Sequence, residues 1–122
     1  MGRDFRKVKA WQLADDFAVA VYAATKSFPK DELYGLTSQV RRAVVSVAAN
    51  IAEGAAREHK RQYLNFLYTA RGSLAEVQYL LHFANRIGYL APQVYDSLDA
   101  SCAELARTLA GLIGAVAKEC DA

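Results

Sequence analysis

The last thirty residues constrain the fold most. From Val94 the residues Leu98, Cys102, Leu105, Leu109, Leu112 and Val116 follow in steps of four and three, which draws one apolar seam along an α-helix. Pro92 stands just ahead of it, at a first-turn position whose amide has no partner in any helix. A helix with a single apolar seam buries it against other helices. The rest of the chain offers three more stretches of the same kind, and no alternating strand pattern, low-complexity tract or linker.

The first stretch runs from about Val8 to Ser27, with Leu13, Phe17, Val21 and Ala24 on one face and Trp11, Ala14, Ala18 and Tyr22 widening it. Phe28-Pro29 ends it, because a residue before proline is pushed out of the α region. The second runs from about Tyr34 to Arg57, with Leu36, Val40, Val44, Val47 and Ile51 facing the core. After a break at Arg57-Glu58-His59, the third carries Tyr63, Leu67, Ala70, Leu74, Val77, Leu81 and Ala84 to about Ile87. Gly88 follows as its C-terminal cap, where positive φ costs nothing. Four helices with short connections predict an all-α, up-down-up-down four-helix bundle forming one domain over residues 1–122.

A chain of 122 residues buries enough surface to need no disulfide or metal staple. Cys102 and Cys120 are two lone thiols too far apart for a metal knuckle, and Cys102 reads as a small core residue. No apolar run approaches the roughly 20 residues of a membrane span, and the charged start Met1–Lys7 has no apolar signal core behind it. The expectation is a cytoplasmic protein with no membrane partner. Net charge is +2 but uneven: residues 1–86 hold 13 basic and 8 acidic side chains, residues 87–122 hold 2 and 5. That balance permits a polyanionic partner without demanding one.

The second helix is undersolvated. Gln39, Arg42, Ser46, Asn50, Glu53 and Arg57 form one polar stripe, while another face carries Arg41, Val45, Ala48, Ala49, Ala52 and Ala56 where a surface helix would show Lys and Glu. The third helix has a matching stripe of Gln62, Asn65, Thr69, Gly72, Ser73 and Glu76. A glycine inside a helix costs about 1 kcal/mol relative to alanine, so Gly72 predicts a close backbone approach. Three readings are open for the stripes: a polar layer on a monomer surface, a hydrogen-bonded subunit interface, or an active site. The interface reading takes Gln39, Arg42, Ser46, Asn50, Glu53, Gly72, Ser73 and Glu76.

Enzyme chemistry finds little to work with. The stripes hold no His or Cys, and Glu53 lies within helical reach of Arg42 and Arg57, which reads as an ion pair. His59 and His82 make no Glu-x-x-His pair, and Gly111 and Gly114 have no phosphate-loop flanks. No catalytic residue, metal or cofactor is expected. Two basic groups remain: Arg57, Lys60 and Arg61 at a helix junction, and Arg3, Arg6, Lys7 and Lys9 around the start of the first helix. Scattered surface charge accounts for them in a monomer, but a ring of subunits would multiply them into a field suited to phosphates.

The run Phe28-Pro29-Lys30-Asp31-Glu32-Leu33-Tyr34-Gly35-Leu36-Thr37-Ser38-Gln39-Val40-Arg41-Arg42-Ala43, with Ser46 and Asn50-Ile51-Ala52-Glu53-Gly54 after it, resembles the 23S ribosomal-RNA intervening-sequence proteins, small bacterial four-helix bundles. Trp11, Tyr63–Leu67 and Gly72–Glu76 resemble the same family, whereas the last helix is generic. The resemblance implies a homopentamer and kinship with the pentameric, nucleic-acid-binding accessory protein of diversity-generating retroelements, which works with a reverse transcriptase. The family name records where its genes were found and does not establish an activity. The expectation is therefore a non-enzymatic oligomeric scaffold that binds RNA or DNA by charge and shape through Arg57, Lys60, Arg61, Arg41 and Arg42, with a nucleic-acid-processing protein as a further partner. The alternative is a protein–protein adaptor that binds no nucleic acid.

Overall fold

The computed structural model describes residues 2–121. Four helices run in sequence: α1 (Lys9–Thr25), α2 (Leu36–Ala55), α3 (Lys60–Arg86) and α4 (Pro92–Asp121). Single 3-10 turns lie at Phe5–Lys7 and Lys30–Glu32. Each helix packs on its sequence neighbours, α4 closes back on α1, and the backbones of the two diagonal pairs stay more than 8 Å apart at their Cα atoms. This is the up-down-up-down bundle, with α1–α4 the thinnest of its four seams.

The core is built from the expected stripes, with Val21, Val40, Val44, Val47, Ile51, Leu67, Val77, Leu81, Leu105, Leu109 and Val116 fully buried. Two stripes are rotated relative to expectation. In α1 the buried set is Ala10, Ala14, Phe17, Ala18, Val21 and Thr25, so Leu13 and Ala24 lie at the flank and Tyr22 is exposed. In α4 Ile113 is buried in place of Leu112, and Val94 is exposed. α4 is also long and apolar enough, by length and composition alone, to cross a membrane. No single apolar run produces this property. Ala and Gly at 100, 103, 106, 110, 111, 114 and 115 occupy its outer face, where charge would otherwise stand.

The turns are fixed by specific atoms. After α3 the Tyr89 amide donates to the Ala84 carbonyl and the Gly88 amide to that of Asn85, with Gly88 at φ 82°. That is a Schellman cap, and it explains the glycine. Glu32 joins the two turns at this end: Oε1 accepts from the Leu36 amide at 3.2 Å and Oε2 from the Tyr89 hydroxyl at 2.9 Å. A Cβ on Gly35 would sit 2.8 Å from Glu32 Oε1, so glycine there makes room for the cap. The hydrogen bond to Glu32 also raises the Tyr89 phenol above its ordinary value.

Candidate nucleic-acid interface

Helices that alternate in direction place the start of α1, the end of α2, the start of α3 and the end of α4 at one end of the bundle. The two basic groups, some fifty residues apart in sequence, meet there. The extended residues before α1 run across this end: the Arg3 amide donates to the Ala55 carbonyl at 2.6 Å. Its guanidinium lies over the Tyr63 ring at 4.9 Å and donates twice to Glu119, at 3.1 and 2.8 Å. A Cβ on Gly2 would stand 2.5 Å from the Ala56 carbonyl oxygen, so the chain passes close to the end of α2.

The cations here differ in freedom. Lys60 Nζ stands 3.9 Å from Glu119, which thus serves two basic side chains. Arg6 pairs with Asp4 at 3.1 Å and holds that carboxyl below its ordinary value. Arg57 lies over the Phe66 ring at 4.8 Å, a contact worth about 0.5–1 kcal/mol at an exposed site. Among the described residues Lys7, Lys9, Arg57, Arg61 and Lys118 have no carboxylate within 4.0 Å, and all five are exposed. Within one turn of this end stand eight basic residues (3, 6, 7, 9, 57, 60, 61 and 118) and five acidic ones (4, 53, 58, 119 and 121). A shallow depression of about 410 Å³ opens between Glu58, His59, Lys60, Arg61, Glu119 and Cys120.

Arg41 and Arg42 do not join this group. They lie about 24 Å up α2 from Arg57, at 1.5 Å per residue. Arg41 is engaged with α1: Nε donates to Thr25 Oγ1 at 2.9 Å, Nη2 to the Tyr22 carbonyl at 3.3 Å, and the guanidinium covers the Tyr22 ring at 4.7 Å. Arg42 is exposed on the polar stripe.

The two polar stripes face one another within the protomer. Ser46 Oγ and Ser73 Oγ are 2.9 Å apart, and Asn50 Nδ2 donates to the Ser46 carbonyl and hydroxyl at 2.8 and 3.0 Å. These three residues are half-buried, while Gln39, Arg42, Glu53, Gly72 and Glu76 are exposed. The close backbone approach expected at Gly72 is not made inside the protomer, since a Cβ there meets nothing within 4 Å. Gly54 holds that role instead: a Cβ there would lie 2.7 Å from Phe66 Cβ and 2.9 Å from Tyr63 Cδ1, so α2 and α3 cross in near contact.

Sequence reasoning missed Glu119. An acid in the last turn of a helix opposes the dipole, and that misfit was the available signal that a cation stands against it. Among the described residues no group of three or more His, Cys, Asp and Glu side chains is placed to hold a metal ion. Cys102 is buried and Cys120 half-buried, both as free thiols.

No curated protein matches the chain. Among solved structures it is similar to a protein of unknown function from the S23 ribosomal protein family of Bacteroides thetaiotaomicron, with 23% identity. That match covers 86% of this chain and 95% of the other, with a TM-score of 0.79. At that identity the likeness supports the fold and nothing more. The model of the 23S rRNA-intervening sequence protein family matches residues 6–111, nearly all of the bundle, and the chain belongs to that family.

Proposed function

We propose that the protein is a non-enzymatic, homopentameric bundle that binds nucleic acid, RNA in particular, through the basic end. The observation that carries this reading is the convergence of Lys7, Lys9, Arg57, Lys60 and Arg61 at one end of the bundle, exposed and mostly free of carboxylates. No base-reading module accompanies them, so recognition rests on phosphate charge and shape. In a ring each cluster recurs in every subunit, and modest affinity per site multiplies.

The test is RNA binding by the wild type and by Arg57→Gln/Lys60→Gln/Arg61→Gln across a salt series. Glutamine suits the test better than glutamate, because a carboxylate at position 60 would face Glu119. Wild-type binding is expected to weaken with salt at a log–log slope of about −0.7 per neutralised phosphate, and the triple variant to lose affinity and two to three phosphates' worth of slope. Wild type that binds neither RNA nor DNA at low salt would shift the reading to a protein–protein adaptor. One feature favours that second reading: an exposed aromatic ridge on α3, with Tyr79 61% exposed and its ring stacked on Phe83 at 6.4 Å.

A further inference from the structure

The opposite end of the bundle holds a second cationic concavity. A groove of about 440 Å³ opens between the end of α1, the Lys30–Glu32 turn and the first turn of α2. Three cations line it, Lys26, Lys30 and Arg41, and no acidic side chain does. Among the described residues none of the three has a carboxylate within 4.0 Å. The neighbouring Glu32 is already engaged by the Leu36 amide and the Tyr89 hydroxyl. Arg41 is fixed in place by its contacts with Thr25 and Tyr22, so its remaining N–H groups are held without an ordering cost.

The polar lining points the same way. Thr25 and Thr37, the buried polar side chains of the described chain at 2% and 4% exposed, both line this groove. The Thr25 hydroxyl is satisfied by Arg41 and the Tyr22 carbonyl, whereas Thr37 Oγ1 has no partner. A buried hydroxyl left unpaired costs about 1–3 kcal/mol, so one beside a cationic groove calls for an acceptor. Thr37 also stands in the first turn of α2, whose amides lack intrahelical acceptors and carry the positive end of the dipole. Phe28 and the half-exposed Leu33 add an apolar wall.

We infer that this groove binds a phosphate monoester carried on a small flat apolar group. Three cations and no acid favour a ligand of charge near −2 at neutral pH, which a monoester has and a carboxylate lacks. Arg41 offers paired donors, Thr37 its free hydroxyl, Lys26 and Lys30 the remaining charge, and the exposed Leu33 beside the edge of Phe28 a surface for the apolar body. This site is separate from the basic end and does not depend on nucleic-acid binding.

Phenyl phosphate is the probe, titrated at low salt and followed by amide chemical shifts, with benzoate and inorganic phosphate beside it. Phenyl phosphate is expected to shift the amides of residues 25–41 and to bind more tightly than either control. Lys26→Gln/Lys30→Gln, two exposed positions whose loss leaves the core intact, is expected to weaken it about tenfold or more. Thr37→Val is expected to weaken it several-fold while keeping the fold. Arg107→Gln, at an exposed position on α4, leaves it unchanged. Absence of binding at millimolar phenyl phosphate, or equal binding by the double lysine variant and the wild type, would overturn the site.

Discussion

Two glycines illustrate how one residue type answers to opposite surroundings. Gly54 is buried where α2 and α3 cross, and a methyl group there would stand 2.7 Å from Phe66 Cβ. Gly54→Ala is expected to cost about 1–3 kcal/mol through forced separation of the helices, read as a lowered urea midpoint. Gly72 has nothing within 4 Å, so Gly72→Ala should stabilise the isolated protomer by up to about 1 kcal/mol. If a second subunit approaches at Gly72, the same change weakens assembly while the protomer gains, and comparing melting with mass in solution separates the two effects. Cys102 gives a pH signature. Burial lifts its thiol from 9.0 to about 11. As pH rises through that window the unfolded chain loses its proton first, so stability falls. It is complete below pH 9 and reduced by at most about 2–3 kcal/mol near pH 11. Burial also raises Tyr63, which adds in the same direction. Alkylation of the native protein is expected to label Cys120 alone, with Cys102 reacting only in denaturant. Equal labelling of both would show that the α4 seam opens.

At the scale of elements, helix identity was legible throughout, and the inward face was legible in α2 and α3 but only in part in α1 and α4. The steps of four and three that end in Val116 located α4, and Gly88 located the end of α3, because periodicity and capping are local. The expected face of α1 held Ala14, Phe17, Ala18 and Val21, and the structure differs in turning Ala10 and Thr25 inward in place of Leu13, Tyr22 and Ala24. In the bundle Ala10, Ala14, Ala18 and Thr25 turn inward and let α1 approach its neighbours, and Leu13 and Trp11 cover the flanks. Which of two apolar faces goes inside depends on the partner helix, and no single stretch contains that information. The basic end was half-legible: both groups were visible as charge runs, but their meeting depends on topology. Glu32 shows the same dependence. It stands outside α2, in the turn before it, and joins two turns 57 residues apart. Glu32→Gln keeps an acceptor and loses the charge, while Glu32→Ala loses the cap and the Tyr89 bond together. The alanine variant is expected to lose about 1–2 kcal/mol by denaturant titration and the glutamine variant less than half of that. Equal losses would mean that charge, not hydrogen bonding, holds the turn.

For the whole molecule, several large apolar side chains stand in solvent on the single bundle. Val19 is 67% exposed, Tyr34 94%, Val45 45% and Tyr79 61%. The thin α1–α4 seam leaves alanine-lined grooves of about 500 and 410 Å³, with Asp16 and Glu104 on the second. The α2–α3 face, with its polar stripe, lies on the opposite side of the square. Two unlike faces on opposite sides suit head-to-tail contact, which closes into a ring when each copy is rotated by a fixed angle. The Ser46–Ser73–Asn50 cluster bears on this, because its bonds form within the protomer and among the described residues Asn50 Oδ1 receives none. A stripe that only lined a solvated surface would have water for that oxygen, and one covered by a neighbour needs a donor from it. Light scattering is expected to return about five times the 13.4 kDa chain at micromolar concentration. Asn50→Leu removes the donor to Ser46 and the free oxygen together. It is expected to shift the assembly toward monomer while the protomer's own melting falls by no more than about 1 kcal/mol, the value of one half-exposed hydrogen bond. A 13.4 kDa mass for the wild type across that range, or an unchanged assembly in Asn50→Leu, would return the stripe to solvent and leave the basic end with the field of a single subunit.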